Sequence, residues 1–160
     1  MSEKDVNPIP EGYHSITPFI VCNEAAKAIE FYRQAFDAKV LMRNDGPDGS
    51  VMHCELQIGD SILQIGDPQP AYGLGVPDPE QATATLALYV PDCDAVFAKS
   101  VEAGAAVREQ PQDFVTGDRY CSIVDPHGRR WAIMTRIEEV SREEAERRVN
   151  EWIASMSEGQ

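Results

Sequence analysis

The feature that most constrains the fold is an internal duplication. Residues 13–67 and 83–136 follow the same order of predicted elements, which is a strand, a helix, a short strand and a hairpin. Equivalent positions stay 67 residues apart, as between Cys54 and Cys121 (121 − 54 = 67). A repeat of this size buries too little apolar surface to be stable alone. The pattern therefore predicts one α+β domain built from paired βαβββ modules.

Helical periodicity and turn composition place the elements within each repeat. In residues 24–37 and 92–103, apolar side chains recur at three- and four-residue spacing, which is typical of amphipathic helices. The Gly-Asp pair at 59–60 and the segment Asp125–Gly128 have the composition of tight turns, and residues 67–81 read as a linker. The apolar positions are Ala25, Ala28, Ile29, Tyr32 and Phe36 in the first helix and Cys93, Val96, Phe97 and Val101 in the second.

Strand alternation separates two faces of a curved, mainly antiparallel sheet, and the helices are expected on its convex side. One parity is almost entirely apolar and should pack against the helices. The other parity is polar and aromatic, which fits either a wet surface or a concave small-molecule pocket, and we favour the pocket. The apolar set is Cys54, Leu56, Ile58, Leu63, Ile65, Leu86, Leu88, Val90, Cys121, Ile123, Trp131 and Ile133. The candidate ligand-binding residues are His53, Glu55, Gln64, Tyr89, Tyr120 and Arg130.

The composition of the chain restricts the classes of partner that it can bind. At 160 residues with 42% hydrophobic content, the chain can bury a sizeable core. The net charge of −13, from 14 basic and 27 acidic residues, argues against nucleic acid and against an anionic membrane surface. The four cysteines lack CxxC spacing, which predicts buried reduced thiols. A polar start and the lack of a long apolar run predict a cytoplasmic protein.

The two ends lie outside the repeats. Residues 1–12 form an N-terminal extension, and residues 137–160 are predicted to contain an amphipathic helix. The segment Ser141–Glu144 resembles a capping box, and apolar residues follow it at helical spacing. We expect the apolar face of this helix to pack either against its own domain or in a dimer interface. Its apolar residues are Ala145, Val149, Trp152, Ile153 and Met156.

Several short motifs, in order and spacing, resemble the vicinal oxygen chelate superfamily of glyoxalases, bleomycin resistance proteins and extradiol dioxygenases. The nearest resemblance is to the PhnB-like, glyoxalase-related branch. It covers nearly all of residues 13–136, and it implies the paired βαβββ fold and a homodimer. The motifs are Ala28–Tyr32, Ala35–Ala38, Gly59–Ser61, Val90–Val96, Gly117–Tyr120 and Asp125–Trp131.

The metal ligands implied by this resemblance are largely missing. Where the family has histidines on the first strand of each copy, this chain has Ile16 or Thr17 and then Thr85. The glutamate that follows the DPxG turn is replaced by Ala132, and only Glu55 resembles a family ligand. Because divalent sites need three or four protein ligands, we expect no conventional metal and no cofactor.

Two classes of function are compatible with these residues. The first is a metal-independent protein that binds a small organic molecule, as bleomycin resistance proteins do. The second is a lyase, isomerase or dioxygenase that recruits a divalent metal through Glu55. An enzyme could also work here without a metal, with Glu55 acting as a general base beside His53. Alternatively, Glu55 and His53 simply form hydrogen bonds with neighbouring residues on the strands.

Overall fold

The computed structural model describes residues 6–78 and 80–157. The chain forms two compact units, unit 1 through Pro77 and unit 2 from Asp78 onward. Within the described residues, the strands form two four-stranded sheets, one in each unit. None of the helices in this part of the chain is both long enough and apolar enough to cross a membrane.

Unit 1 contains one βαβββ module. Strand β1 pairs in parallel with β4, and β4, β3 and β2 pair antiparallel, giving the order β1-β4-β3-β2. The predicted first strand, residues 15–22, is shorter than expected because Pro18 has no N–H, although its carbonyl accepts a bond from Gln64. The elements are β1 (Phe19–Val21), α1 (Ala25–Phe36), β2 (Lys39–Asp45), β3 (Val51–Ile58) and β4 (Ser61–Gly66).

Unit 2 repeats this order and adds a C-terminal helix. Its strands pair as β5-β8-β7-β6, with β5 parallel to β8 and the other pairs antiparallel. The identical strand order in both units confirms the predicted α+β fold of two βαβββ modules. The elements are β5 (Thr85–Tyr89), α2 (Cys93–Glu102), β6 (Ala106–Asp113), β7 (Asp118–Val124), β8 (Arg130–Arg136) and α3 (Arg142–Ser157).

The core follows the predicted alternation along the central strands. Leu56 on β3 and Ile123 on β7 are fully buried, whereas most polar residues on the same strands are half-exposed; the exceptions are Asp118 and Ser122, which are buried. Trp131 is buried, and its indole N–H donates to Asp125 at 3.0 Å. Strand β5 is the exception, because it lies at the sheet edge and its apolar residues are only half-buried. All four cysteines are buried, as expected.

Helix α2 departs from its predicted apolar stripe at one position, Val101. Only Cys93 and Ser100 are buried, and Val101 is 40% exposed. Ser100 occupies the inner face because its hydroxyl donates to the carbonyl of Val96 at 2.7 Å, which satisfies the buried oxygen. Val96 and Phe97 are half-buried, so the predicted apolar period fails at Val101 and holds at the other three positions.

Asp67 was predicted as the start of a linker. It directly follows β4, and its carboxylate connects this point of the chain to α1 and to β3. One carboxylate oxygen accepts the N–H of Ala25 at 2.9 Å, in the first turn of α1. The other accepts the N–H of Val51 at 2.7 Å, at the start of β3. Both of these backbone donors belong to fully buried residues, so the carboxylate satisfies groups that water does not reach.

Helix α3 packs on unit 2 by its N-terminal half. Ser141 caps the helix by accepting the N–H of Glu144 at 3.1 Å, as the capping-box pattern predicts. Arg148 donates to both carboxylate oxygens of Glu138 at 2.8 Å and to the carbonyl of Val115 at 3.5 Å. The second half of the helix remains more exposed, since Trp152 is 40% exposed.

Candidate functional site

A groove of about 650 Å³ opens on unit 2 where the β6–β7 hairpin meets α3. Its wall combines aromatic side chains with carboxylates. Among the described residues that line it, three are acids and none is a lysine, arginine or histidine. The lining residues are Tyr89, Glu109, Gln112, Asp113, Phe114, Val115, Thr116, Asp118, Tyr120, Met134 and Trp152.

Backbone geometry at the tip of the hairpin fixes this groove. The N–H of Phe114 bonds to the carbonyl of Asp118 at 2.8 Å, and Gly117 adopts a φ of +84°. A side chain at Gly117 would lie 2.8 Å from Val140 and 2.9 Å from the carbonyl of Glu138, so glycine lets the segment leading to α3 lie against the turn. That close approach brings α3 over the hairpin, where Trp152 meets Phe114 edge to face with centroids 5.1 Å apart.

Glu109 is the centre of a polar cluster at one side of the groove. Its Oε2 accepts from the hydroxyls of Tyr120 and Ser122, the latter at 2.5 Å, and from Arg130 at 3.2 Å. These bonds, first that from Ser122 and then that from Tyr120, lower the pKa of Glu109. Burial, followed by the bond to Glu109, raises the pKa of the Tyr120 phenol. The cluster therefore presents a carboxylate and a neutral phenol at neutral pH.

Asp118 lies at the start of β7 and is 5% exposed. Its Oδ2 accepts the hydroxyl of Thr116 at 2.8 Å. Its buried Oδ1 has no hydrogen-bond partner among the residues described, and the guanidinium Nε of Arg136 lies 3.6 Å away, beyond hydrogen-bonding distance. Asp118 thus contributes to the groove wall a carboxylate whose Oδ1 is shielded from solvent, charge-compensated by Arg136 and not hydrogen-bonded.

A second polar cluster lies on the sheet of unit 1. Glu55 accepts a hydrogen bond from the hydroxyl of Tyr13, lies 3.3 Å from His53 Nε2, and accepts from Gln64 Nε2 at 3.4 Å. The bond from Tyr13 is the main cause of a lowered pKa at Glu55, with the bond to His53 adding to it. Phe19 stacks on His53 with centroids 5.9 Å apart. A lowered pKa favours the carboxylate form and makes Glu55 a weaker general base.

The donor set around Glu55 does not fit a conventional divalent site. A single carboxylate and one imidazole are joined there by an amide and a phenol, all engaged with one another. Ile16 is 86% exposed, and the hydroxyl of Thr17 donates to a backbone carbonyl at 3.2 Å. Within the described part of the chain, no group of three or more His, Cys, Asp or Glu side chains could hold a metal ion.

The six predicted ligand-binding residues divide between the two units. His53, Glu55 and Gln64 lie together on unit 1, where Tyr13 joins them. Tyr89 and Tyr120 line the groove of unit 2, and Arg130 supports its edge through Glu109. Of these three residues of unit 2, two line the groove and the third is bonded to a lining residue.

Sequence reasoning missed several groove residues. Glu109 lies on β6 between two register shifts, and Pro111 interrupts this strand, so period-two alternation does not hold there. Phe114 and Asp118 flank a turn, and Trp152 comes from α3, whose docking surface has no local signature in the sequence. The Gly117–Tyr120 motif was the available signal, since it marks the hairpin that builds the groove.

Comparisons with known proteins agree on the fold. Residues 12–133 match the model of the Glyoxalase/Bleomycin resistance protein/Dioxygenase superfamily. Uncharacterised proteins of Mycobacterium bovis and Mycobacterium tuberculosis are 37% identical over 134 residues, covering 81% of this chain and 88% and 79% of those proteins.

Two solved structures illustrate the structural likeness. TioX from Micromonospora sp. ML1 has 20% identity and a TM-score of 0.63, covering 77% of this chain and 98% of that protein. The fosfomycin resistance protein FosX from Listeria monocytogenes has 10% identity and a TM-score of 0.64, covering 82% of this chain and 97% of that protein. At these identities the likeness concerns the fold.

Proposed function

The chain belongs to the glyoxalase/bleomycin resistance protein/dioxygenase superfamily, and we propose that it binds a small organic molecule in the groove of unit 2 without a conventional metal site. The observation that carries this proposal is the groove itself, in which Phe114, Trp152 and Tyr89 stand beside the polar groups Glu109 and Asp118. A preformed cleft with an aromatic wall and a few convergent polar groups is the usual form of a small-molecule site.

The aromatic side chains supply the apolar contact. Tyr89 is 58% exposed and Trp152 is 40% exposed, so a ligand that covers them removes apolar surface from water. The Glu109 cluster would fix the orientation of the ligand, because Glu109 lines the groove and its side chain is 39% exposed. His53, Glu55 and Gln64 on unit 1 are proposed as a separate ligand-contacting cluster.

The assembly and location are part of the same proposal. We place the chain in the PhnB-like branch, in the cytoplasm, and as a homodimer without nucleic-acid or membrane partners. The exposed second half of α3 supports the dimer, since Ile153 and Met156 are 47% and 50% exposed beside Trp152. Analytical ultracentrifugation tests the dimer, and a Met156→Glu variant should weaken it.

The function is tested by a compound screen run in parallel with and without metal. Thermal shift with a library of aromatic metabolites and antibiotics is measured in chelator and then with Ni, Zn, Mn and Fe. We expect hits that stabilise the protein equally in both conditions. A requirement for metal, lost in Glu55→Gln, would instead support a lyase, isomerase or dioxygenase that uses Glu55.

The binding site of the best hit is then located with a pair of tyrosine variants. Tyr89→Ala removes a groove wall and should weaken binding about tenfold, which corresponds to about 1.4 kcal/mol. Tyr72→Ala is the matched control, because Tyr72 is also largely exposed, at 77%, but lies outside the groove on unit 1. Equal affinity losses in the two variants would contradict the proposed site.

A further inference from the structure

Two buried thiols of unit 2 lie against each other. Cys93 is the first residue of α2 and is 1% exposed, and Cys121 lies in the middle of β7 and is fully buried. Their Sγ atoms are 3.4 Å apart. Because a disulfide bond is about 2.0 Å long, an approach of about 1.4 Å would join them. Neither cysteine lines the groove, so the proposed function leaves this pair unused.

Contacts with β8 hold the two sulfur atoms in this position. The N–H of Cys93 donates to the hydroxyl of Thr135 at 2.8 Å, which fixes the start of α2 on the sheet. Cys93 Sγ also lies 3.3 Å from the carbonyl oxygen of Ile133, and Ile133 is paired with Cys121 in the β7–β8 ladder. The same part of β8 therefore positions both cysteines, so that their side chains converge as a disulfide requires.

The first repeat has a thiol at only one of these two places. Cys54 is the equivalent of Cys121 (121 − 54 = 67), but α1 begins with Ala25 where α2 begins with Cys93. Ala25 and Cys54 are both fully buried, so the packing of the two repeats is similar at this point. The chain therefore contains its own control, which is a buried cysteine on the same strand of a module whose helix does not begin with a thiol.

Small reagents reach the pair when the first turn of α2 opens. Helix α2 buries two side chains, those of Cys93 and Ser100, whereas α1 buries seven. A helix with so little buried surface opens locally at a lower free energy than the core strands. In the closed state, burial raises the pKa of both thiols, which keeps them protonated and unreactive. Opening returns Cys93 to water and to the reactivity of an ordinary thiol.

We propose that Cys93 and Cys121 form a reversible disulfide when the protein meets hydrogen peroxide, and that this bond fastens the first turn of α2 to β7. In the open state the Cys93 thiolate attacks the peroxide, so an S–O bond forms, the O–O bond breaks, and the leaving hydroxide takes up a proton to become water. The thiolate of Cys121 then attacks the sulfenic sulfur of Cys93, which forms the S–S bond and releases a second water. The two thiols together lose two electrons, and one peroxide is reduced to two waters.

The bond is detected on the unchanged, full-length protein. The native protein is treated with hydrogen peroxide, quenched with catalase, unfolded and labelled with N-ethylmaleimide. Labelling should fall from four to two maleimides per chain (4 − 2 = 2), and it should return to four after treatment with a reductant. Trypsin alone leaves Cys54 and Cys93 in one peptide, so a glutamate-specific protease is added to cut at Glu55 between them. We expect one linked pair of peptides, joined through Cys93 and Cys121.

Two cysteine variants then test the assignment. Cys93→Ala should form no bond, whereas Cys54→Ala, which removes the equivalent buried thiol of the first repeat, should still form it. The bond closes a loop of 29 residues in the unfolded chain (121 − 93 + 1 = 29), so oxidation should raise the melting temperature by about 5 °C or more. Cys93→Ala should show no such rise. The peptide mapping on the unchanged protein stands even if a variant fails to fold.

Two substitutions at Asp92 test the opening step. The Asp92 side chain caps α2 by accepting the N–H of Ala95 at 3.0 Å. Asp92→Ala removes this cap and should speed formation of the bond about fivefold, because the first turn opens more often. Asp92→Asn removes the same charge but keeps a capping oxygen, so its rate should stay within about twofold of the unchanged protein. Rates that rise equally in both variants, or in neither, would overturn the opening step.

Several results would overturn the disulfide itself. The oxidised protein could still take four maleimides, the linked peptides could contain Cys22 or Cys54, or Cys93 could gain oxygen atoms without forming a bond. A bond that forms without raising the melting temperature would show that it does not fasten α2 to β7. None of these results bears on the binding groove, so this proposal and the proposed function stand or fall separately.

Discussion

Leu56→Ala probes whether β3 presents the faces that the alternation predicts. Leu56 is fully buried and lies opposite Leu63 on β4 and Val40 on β2. The substitution removes three carbons from the core, which costs about 2.4 kcal/mol at about 0.8 kcal/mol per methylene. The cavity left behind adds to this, and the total should lie between about 2 and 5 kcal/mol.

Glu55→Gln is the matched control on the adjacent residue. The Glu55 side chain is 15% exposed on the opposite face, and a glutamine carbonyl can still accept from Tyr13. We therefore expect a loss of less than about 1 kcal/mol. For a chain of this length, the difference between the two variants should appear as a melting temperature about 5 to 10 °C lower for Leu56→Ala.

The assay is a urea melt followed by circular dichroism, with thermal melts as a check. The reasoning is refuted if Leu56→Ala costs less than about 1 kcal/mol, or if Glu55→Gln is the more damaging of the two. Either result would mean that the register of β3 is shifted by one residue, because such a slip exchanges the two faces.

Three further predictions concern the Asp67 carboxylate that caps α1, the titration of Glu109 and the docking of α3. Asp67→Ala leaves two buried N–H groups without acceptors and should cost about 2 to 4 kcal/mol in a urea melt, whereas a loss below about 0.5 kcal/mol would show that the cap is dispensable. Because the pKa of Glu109 lies below its usual 4.5, its stabilisation is complete above pH 4.5 and is lost as pH falls through the lowered value. Glu109→Gln should flatten the fall in melting temperature between pH 5 and about 3, and an unchanged profile would contradict this. Arg148→Ala should speed hydrogen exchange throughout α3, while Arg147→Ala, whose partners lie on α3 itself, should not, and equal effects would argue against docking through Arg148.

The repeat and the apolar alternation made the fold predictable from the sequence. Both are local patterns, and they hold wherever hydrogen-bonded strands keep a regular register, as around Cys54 and Cys121. They fail in β6, where register shifts on both sides of Glu109 break the period, and in α2, where Ser100 rather than Val101 faces the core.

The candidate site was less predictable because its parts come from distant segments. Tyr13 lies next to the predicted extension of residues 1–12, yet it bonds to Glu55 on β3. Trp152 reaches the groove only because α3 folds back onto the turn at Gly117. Neither contact has a fixed spacing or a motif, so only the three-dimensional arrangement reveals them.

A crystal structure of the protein with the tightest compound from the metal-free screen tests the central claim most directly. The account predicts ligand density in the groove of unit 2, with a planar group against Phe114 and Trp152 and a polar group near Asp118 or Glu109. Density for the ligand at Glu55 on unit 1, coordinated through a bound divalent ion, would contradict it.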